Sequence, residues 1–113
     1  MELIGKAKEE FEKWYLSEES RKRYNTKSLL LNDTALIVRF YSRSDTEKWV
    51  VYVYFFDSIG VDIGVYTGNS PHKIIKYVYV VEYNNELYEG VSNTIHQARE
   101  AAIKTAVEIY NNR

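Results

Sequence analysis

Nine consecutive residues, Trp49 to Asp57 (WVVYVYFFD), hold a single charged side chain, and it is the last one. No other stretch constrains the fold as much. Read as a strand, Trp49, Val51, Val53 and Phe55 face one way and Val50, Tyr52, Tyr54 and Phe56 face the other. A strand that covers a core on one face alternates apolar with polar residues, and this one is apolar on both. The reading therefore predicts a strand over 49–56 whose second face is covered by Leu29–Leu31, by curvature of the sheet, or by another molecule.

The flanking segments supply the rest of a sheet and its cover. In residues 2–23, Ile4, Ala7, Phe11 and Trp14 recur at helical spacing, which predicts an amphipathic helix with Trp14 packed on the sheet. Arg21-Lys22-Arg23 suits its C-terminal end. Asn32-Asp33 reads as a turn, followed by a strand over 34–42, with Leu29–Leu31 as a short strand before it. "RSDTE" reads as a polar loop. Gly60 marks a tight turn or bulge. A half-buried strand follows over 61–66, then a loop around Pro71. In the strand over 74–83, Ile75, Tyr77, Tyr79, Val81 and Tyr83 line one face, and Lys76 and Glu82 mark the wetter one. Asn84-Asn85 turns a hairpin into a short strand, "ELYEGV". Thr94 and Gln97 form a capping box for a last helix whose stripe is Ile95, Ala98, Ala102, Ala106 and Ile109. The expected fold class is α+β, one domain over 1–113: an N-terminal helix, an antiparallel sheet of four to five strands and a C-terminal helix, with both helices on one face of the sheet.

Bulk properties exclude several function classes. A chain of 113 residues with no cysteine has neither disulfides nor thiolate chemistry. Its net charge of −1 lacks the basic excess that phosphate contacts require, so nucleic-acid binding is not expected. No apolar stretch approaches the ~18 residues of a membrane span. Lys6 and Lys8 break the first apolar residues, so no signal peptide is read and a cytoplasmic location is expected. Eleven tyrosines are the unusual number, since Tyr suits a half-buried sheet face or a contact surface.

No catalytic, cofactor-binding or metal-binding motif stands out. His72 and His96 show no second histidine or carboxylate at metal-binding spacing. Asp57-Ser58 lacks the glycines of a nucleophile elbow. The glutamates from Glu2 to Glu19 alternate with basic residues as on a solvated helix face. Gly60, Gly64 and Gly68 do not precede a helix, which argues against a phosphate loop. Tyr52, Tyr54, Tyr66 and Tyr88 are left as the candidate binding residues, with no cofactor and no metal expected.

Two resemblances add to this reading. "SPHKIIKYVYVVEYNNELYEGVSNTIHQAREAAIKTAVEIY" resembles the second half of a double-stranded-RNA-binding domain. That family's helix opens with a basic cluster, whereas Ser92–Gln97 holds none, so the likeness speaks for topology alone. Phe11-x-x-Trp14-Tyr15, "VYVYFFDSIGVDIGV" and "AREAAIKTAVEIYNN" together resemble small uncharacterised accessory proteins of bacteriophages and mobile elements. This resemblance implies a non-enzymatic protein that binds, and inhibits or recruits, a host protein or defence component in the host cytoplasm. A homodimer through the Val50–Tyr52–Tyr54–Phe56 face is a second expected association. The rival readings are a nucleic-acid-binding module and a nucleotide sponge that stacks its ligand between aromatic rings.

Overall fold

The computed structural model describes residues 1–17, 32–68 and 76–113. Among them are four helices, α1 (Gly5–Leu16), α2 (Asp33–Tyr41), α3 (Asp45–Ser58) and α4 (Ile95–Asn111). Three strands, β1 (Asp62–Gly68), β2 (Lys76–Tyr83) and β3 (Glu86–Ser92), form an antiparallel meander between α3 and α4. Several expected features lie outside the described residues: the end of the 2–23 helix, Arg21-Lys22-Arg23, Leu29–Leu31, the loop with Pro71 and His72, and residues 74–75.

The strands expected over 34–42 and 49–56 are helices, α2 and α3. Their caps decide the matter locally. Asn32 does not turn a hairpin; its side-chain oxygen accepts the Ala35 N–H at 2.8 Å and starts α2. "RSDTE" is the entrance to α3. Ser44 Oγ accepts the Glu47 N–H at 3.3 Å and donates to the Glu47 carboxylate, also at 3.3 Å. That is a capping arrangement of the S-x-x-E type. The exit is equally explicit. Gly60, at φ +85°, takes the left-handed position that stops a helix. Its N–H bonds to Asp57 O at 3.1 Å, and the Val61 N–H bonds to Phe56 O at 2.8 Å. These two bonds close the final turn.

Burial along α3 follows the helix. Val51, Tyr52, Phe55 and Phe56 are buried, while Val50 and Tyr54 are exposed. Adjacent buried pairs one turn apart are a 3.6-residue pattern. The strand preference of valine and aromatic residues is overridden by two good caps and by the core that the helix helps to build. Because 34–42 and 49–56 leave the sheet, it has three strands among the described residues, not four to five. Val50, 47% exposed, offers a direct test. In a helix, Val50→Ala should hold stability level or raise it by up to ~0.5 kcal/mol. A urea midpoint showing a loss of about 1 kcal/mol, the response of a strand site, would contradict the helix.

The cover of the sheet is α4. Its buried residues, Ala98, Ala102, Ile103, Ala106, Val107 and Tyr110, recur at helical spacing, and the alanines allow close approach. Thr94 Oγ1 accepts the Gln97 N–H at 3.1 Å, as the sequence implied. Across the ladder, Ile63 lies opposite Val81, and Val81 opposite Tyr88. Ile63 and Val81 are buried in the core, and Tyr79 and Tyr83 on the same face are partly buried against it. The hairpin turns through Asn84 and Asn85, at φ 52° and 65°, the left-handed pair that a two-residue turn needs.

The N-terminal helix does not act as a second cover of the sheet. Its contacts are chiefly with α2, α3 and α4. The buried stripe is Ala7, Phe11 and Tyr15, continued by Leu3, so it is rotated from the expected one: Ile4 is exposed and Trp14 half-buried. Trp14 packs on Phe11 and on Phe55 of α3, with ring centroids 5.9 and 5.6 Å away, not on the sheet. Asn111 joins the two ends of the chain. Its side chain accepts the Ala7 N–H at 2.8 Å and donates to Ile4 O at 3.0 Å. In this way α4 caps α1, whose own capping position is held by Ile4.

Candidate functional site

The alternation of each strand divides the sheet into the face under α4 and an opposite, open face. On the open face the ladder places three rows: Asp62–Glu82–Leu87, Gly64–Val80–Glu89 and Tyr66–Val78–Val91. Tyr66, Leu87 and Val91 are 62%, 60% and 59% exposed, and Val78 and Val80 are half-buried between them. The centre is apolar. Asp62, Glu82 and Glu89 form an acidic rim, with Lys76 at the far end.

The backbone prepares this surface. The Tyr66 ring folds back over Gly64, two residues earlier on the same face. A methyl group on Gly64 would sit 2.6 Å from the Tyr66 hydroxyl. Glycine therefore lets the ring lie flat on the sheet and widens the apolar centre. Gly64 also lines a groove of about 370 Å³ between β1 and the start of α4, shared with Trp49, Val53, Tyr54 and Arg99. The Arg99 guanidinium lies 5.5 Å from the Trp49 ring centre, a cation–π distance. Its buried Nε meets no acceptor among the described residues.

The four tyrosines expected to bind are not brought together. Tyr66 is on the open face and Tyr54, 43% exposed, lines the groove that meets that face at Gly64. Tyr88 points to the opposite side of β3, beside the end of α4, where its hydroxyl donates to Glu86 at 2.8 Å. That bond raises its pKa. Tyr52 is core. It is wholly buried, 5.1 Å from Phe11 and 5.7 Å from Phe40 between ring centres. Burial, with help from Asp45, Glu2 and Glu12, pushes its hydroxyl pKa upward, so it stays neutral. Val50, Tyr52, Tyr54 and Phe56 share no face in a helix. The expected dimer surface through these residues is therefore not there.

Val78, Val80, Leu87 and Val91 were missed by the sequence reading. The signal was available: Val78 and Val80 stand between Lys76 and Glu82 on the strand face already marked as wet. Glu100 was missed too. It lies one helical turn beyond His96, with Glu100 Oε1 3.3 Å from His96 Nε2. Asp45 Oδ2 completes the cluster 3.7 Å from the same nitrogen. A histidine and two carboxylates gathered this closely are the described residues best placed to hold a metal ion. Compared with known family models, curated proteins and solved structures, the chain matches none of them.

Proposed function

We propose that this is a non-enzymatic binding protein of the phage-accessory kind, acting in the host cytoplasm, whose open sheet face docks on a host protein. The observation that carries the reading is the apolar row Tyr66–Val78–Val91, with Tyr66 and Val91 exposed and Val78 half-buried between them, on a face that no described helix covers. Apolar surface gathered in this way favours a contact that removes it from water. The acidic rim selects the partner. Asp62, Glu82 and Glu89 attract a protein patch with an apolar centre and a basic border, and they repel phosphate backbones. A second copy would face the same acidic rim, so the rim also favours a different partner over self-association. Affinity should fall as salt screens the rim.

Photo-crosslinking in the host cell tests the reading. A benzophenone amino acid at Tyr66 or Val91 should trap one and the same host protein, and the same probe at Ile4 or Glu108 should not. Val78→Lys should abolish the crosslink while circular dichroism stays unchanged. Equal crosslinking from all four positions, or none from the open face, would overturn the assignment.

A further inference from the structure

We propose that Asp45, His96 and Glu100 form a binding site for a first-row divalent transition metal, with Zn²⁺ the ion the ligand set suits best. The geometry is close to that of a tetrahedral site. Arms of ~2.0–2.1 Å put neighbouring ligand atoms about 3.3–3.4 Å apart. His96 Nε2 lies 3.3 Å from Glu100 Oε1 and 3.7 Å from Asp45 Oδ2. All three ligand atoms lie within 4.8 Å of one another. Small rotamer adjustments close that triangle around an ion.

The ligands come from two rigid elements. His96 and Glu100 are four apart on α4, so they project from one side of it. Asp45 opens α3 and is fixed by the Ser44–Glu47 cap. Its two oxygens are divided: Oδ1 meets Lys48 Nζ at 3.5 Å, which leaves Oδ2 turned to the imidazole. The carboxylates already gather positive charge. The Met1 α-ammonium lies 3.6 Å from Glu100 Oε1 and 3.9 Å from Asp45 Oδ1. A divalent ion answers the same two carboxylates and adds a coordinate bond from the imidazole nitrogen. The nitrogen ligand and the low ligand count point away from Ca²⁺ and Mg²⁺, which take more oxygens. The side chains are 38–54% exposed, so an ion reaches them directly from solvent. Three protein ligands leave a fourth position for water or for a donor from a bound partner. Ligation would pin the start of α3 to the start of α4, beside the groove that Trp49 and Arg99 line.

Isothermal titration of the full chain with Zn²⁺ alone, in a non-chelating buffer at neutral pH, tests this. The expected result is one ion per chain at micromolar concentration. Asp45→Asn, His96→Ala and Glu100→Gln should each weaken binding more than about tenfold. His72→Ala, which removes the other histidine, should change nothing. Cobalt should give the strong visible absorption of a tetrahedral site, lost in His96→Ala. Circular dichroism of each variant checks that it folds. No saturable binding below about 1 mM, or binding that survives His96→Ala or disappears with His72→Ala, would overturn the proposal.

Discussion

Phe11→Ala should destabilise the protein by about 3–5 kcal/mol, the cost of truncating a fully buried aromatic side chain. Phe11 is 0% exposed and stands at the centre of the helical core. Its ring centre is 5.1 Å from Phe40, 5.1 Å from Tyr52 and 5.3 Å from Phe55, so it touches a ring from α2 and two from α3. Removing it leaves a cavity that α1, α2 and α3 would have to collapse into together, and each is held at its start, α2 by Asn32, α3 by Ser44 and α1 by Asn111 of α4. Total stabilities of such domains are ~5–15 kcal/mol, so the variant should be near unfolding. Denaturant titration followed by far-UV circular dichroism reads the change. A loss under about 1.5 kcal/mol would show that the ring cluster is not the core.

Tyr52 separates core from interface by two substitutions with opposite outcomes. Its hydroxyl is buried without a hydrogen-bond partner among the described residues. Tyr52→Phe removes that uncompensated group and keeps the ring, so stability should hold or rise by up to ~1 kcal/mol. Tyr52→Glu puts a carboxyl group into the same ring cluster, near the carboxylates of Asp45, Glu2 and Glu12. It should cost several kcal/mol, enough to unfold most molecules at neutral pH. Were Tyr52 an interface residue, Tyr52→Glu would instead give a folded monomer from a dimer. Light scattering combined with circular dichroism distinguishes the two results.

The C-terminal half was legible because its signals are local and agree with one another. Thr94 and Gln97 announce the start of α4, Asn84-Asn85 announces the hairpin, and Lys76 and Glu82 mark the open side of β2. The segment 33–58 was misread because an apolar run on all sides carries no clear period, so valine and aromatic content tilted the reading to a strand. Burial of Val51, Tyr52, Phe55 and Phe56 needs α1 and α2 alongside, and that is a tertiary fact. Even so, Asn32, Ser44, Glu47 and Gly60 spelled out both helix starts and the stop of α3. The surface was obscured for a different reason. Counting tyrosines pointed to Tyr52 and Tyr88, whereas the centre of the open face is built from Val78, Val80, Leu87 and Val91, with Tyr66 the one aromatic ring there among the described residues. The Asp45–His96–Glu100 cluster joins residues 51 positions apart, and only the pairing of α3 with α4 reveals it.

The affinity of the crosslinked host protein for the purified chain reads the role of the open face. Val78 lies at the middle of the apolar row, in β2 between its neighbours Tyr66 and Val91. A lysine there replaces apolar contact with a charge that is desolvated against the partner's apolar centre. Val78→Lys should weaken binding at least about 30-fold, the effect of losing a central interface residue worth ~2 kcal/mol. Lys104→Glu, on an exposed position of α4, should leave it within about twofold. Unchanged affinity in folded Val78→Lys, with the loss falling on Lys104→Glu instead, would contradict docking through the open face.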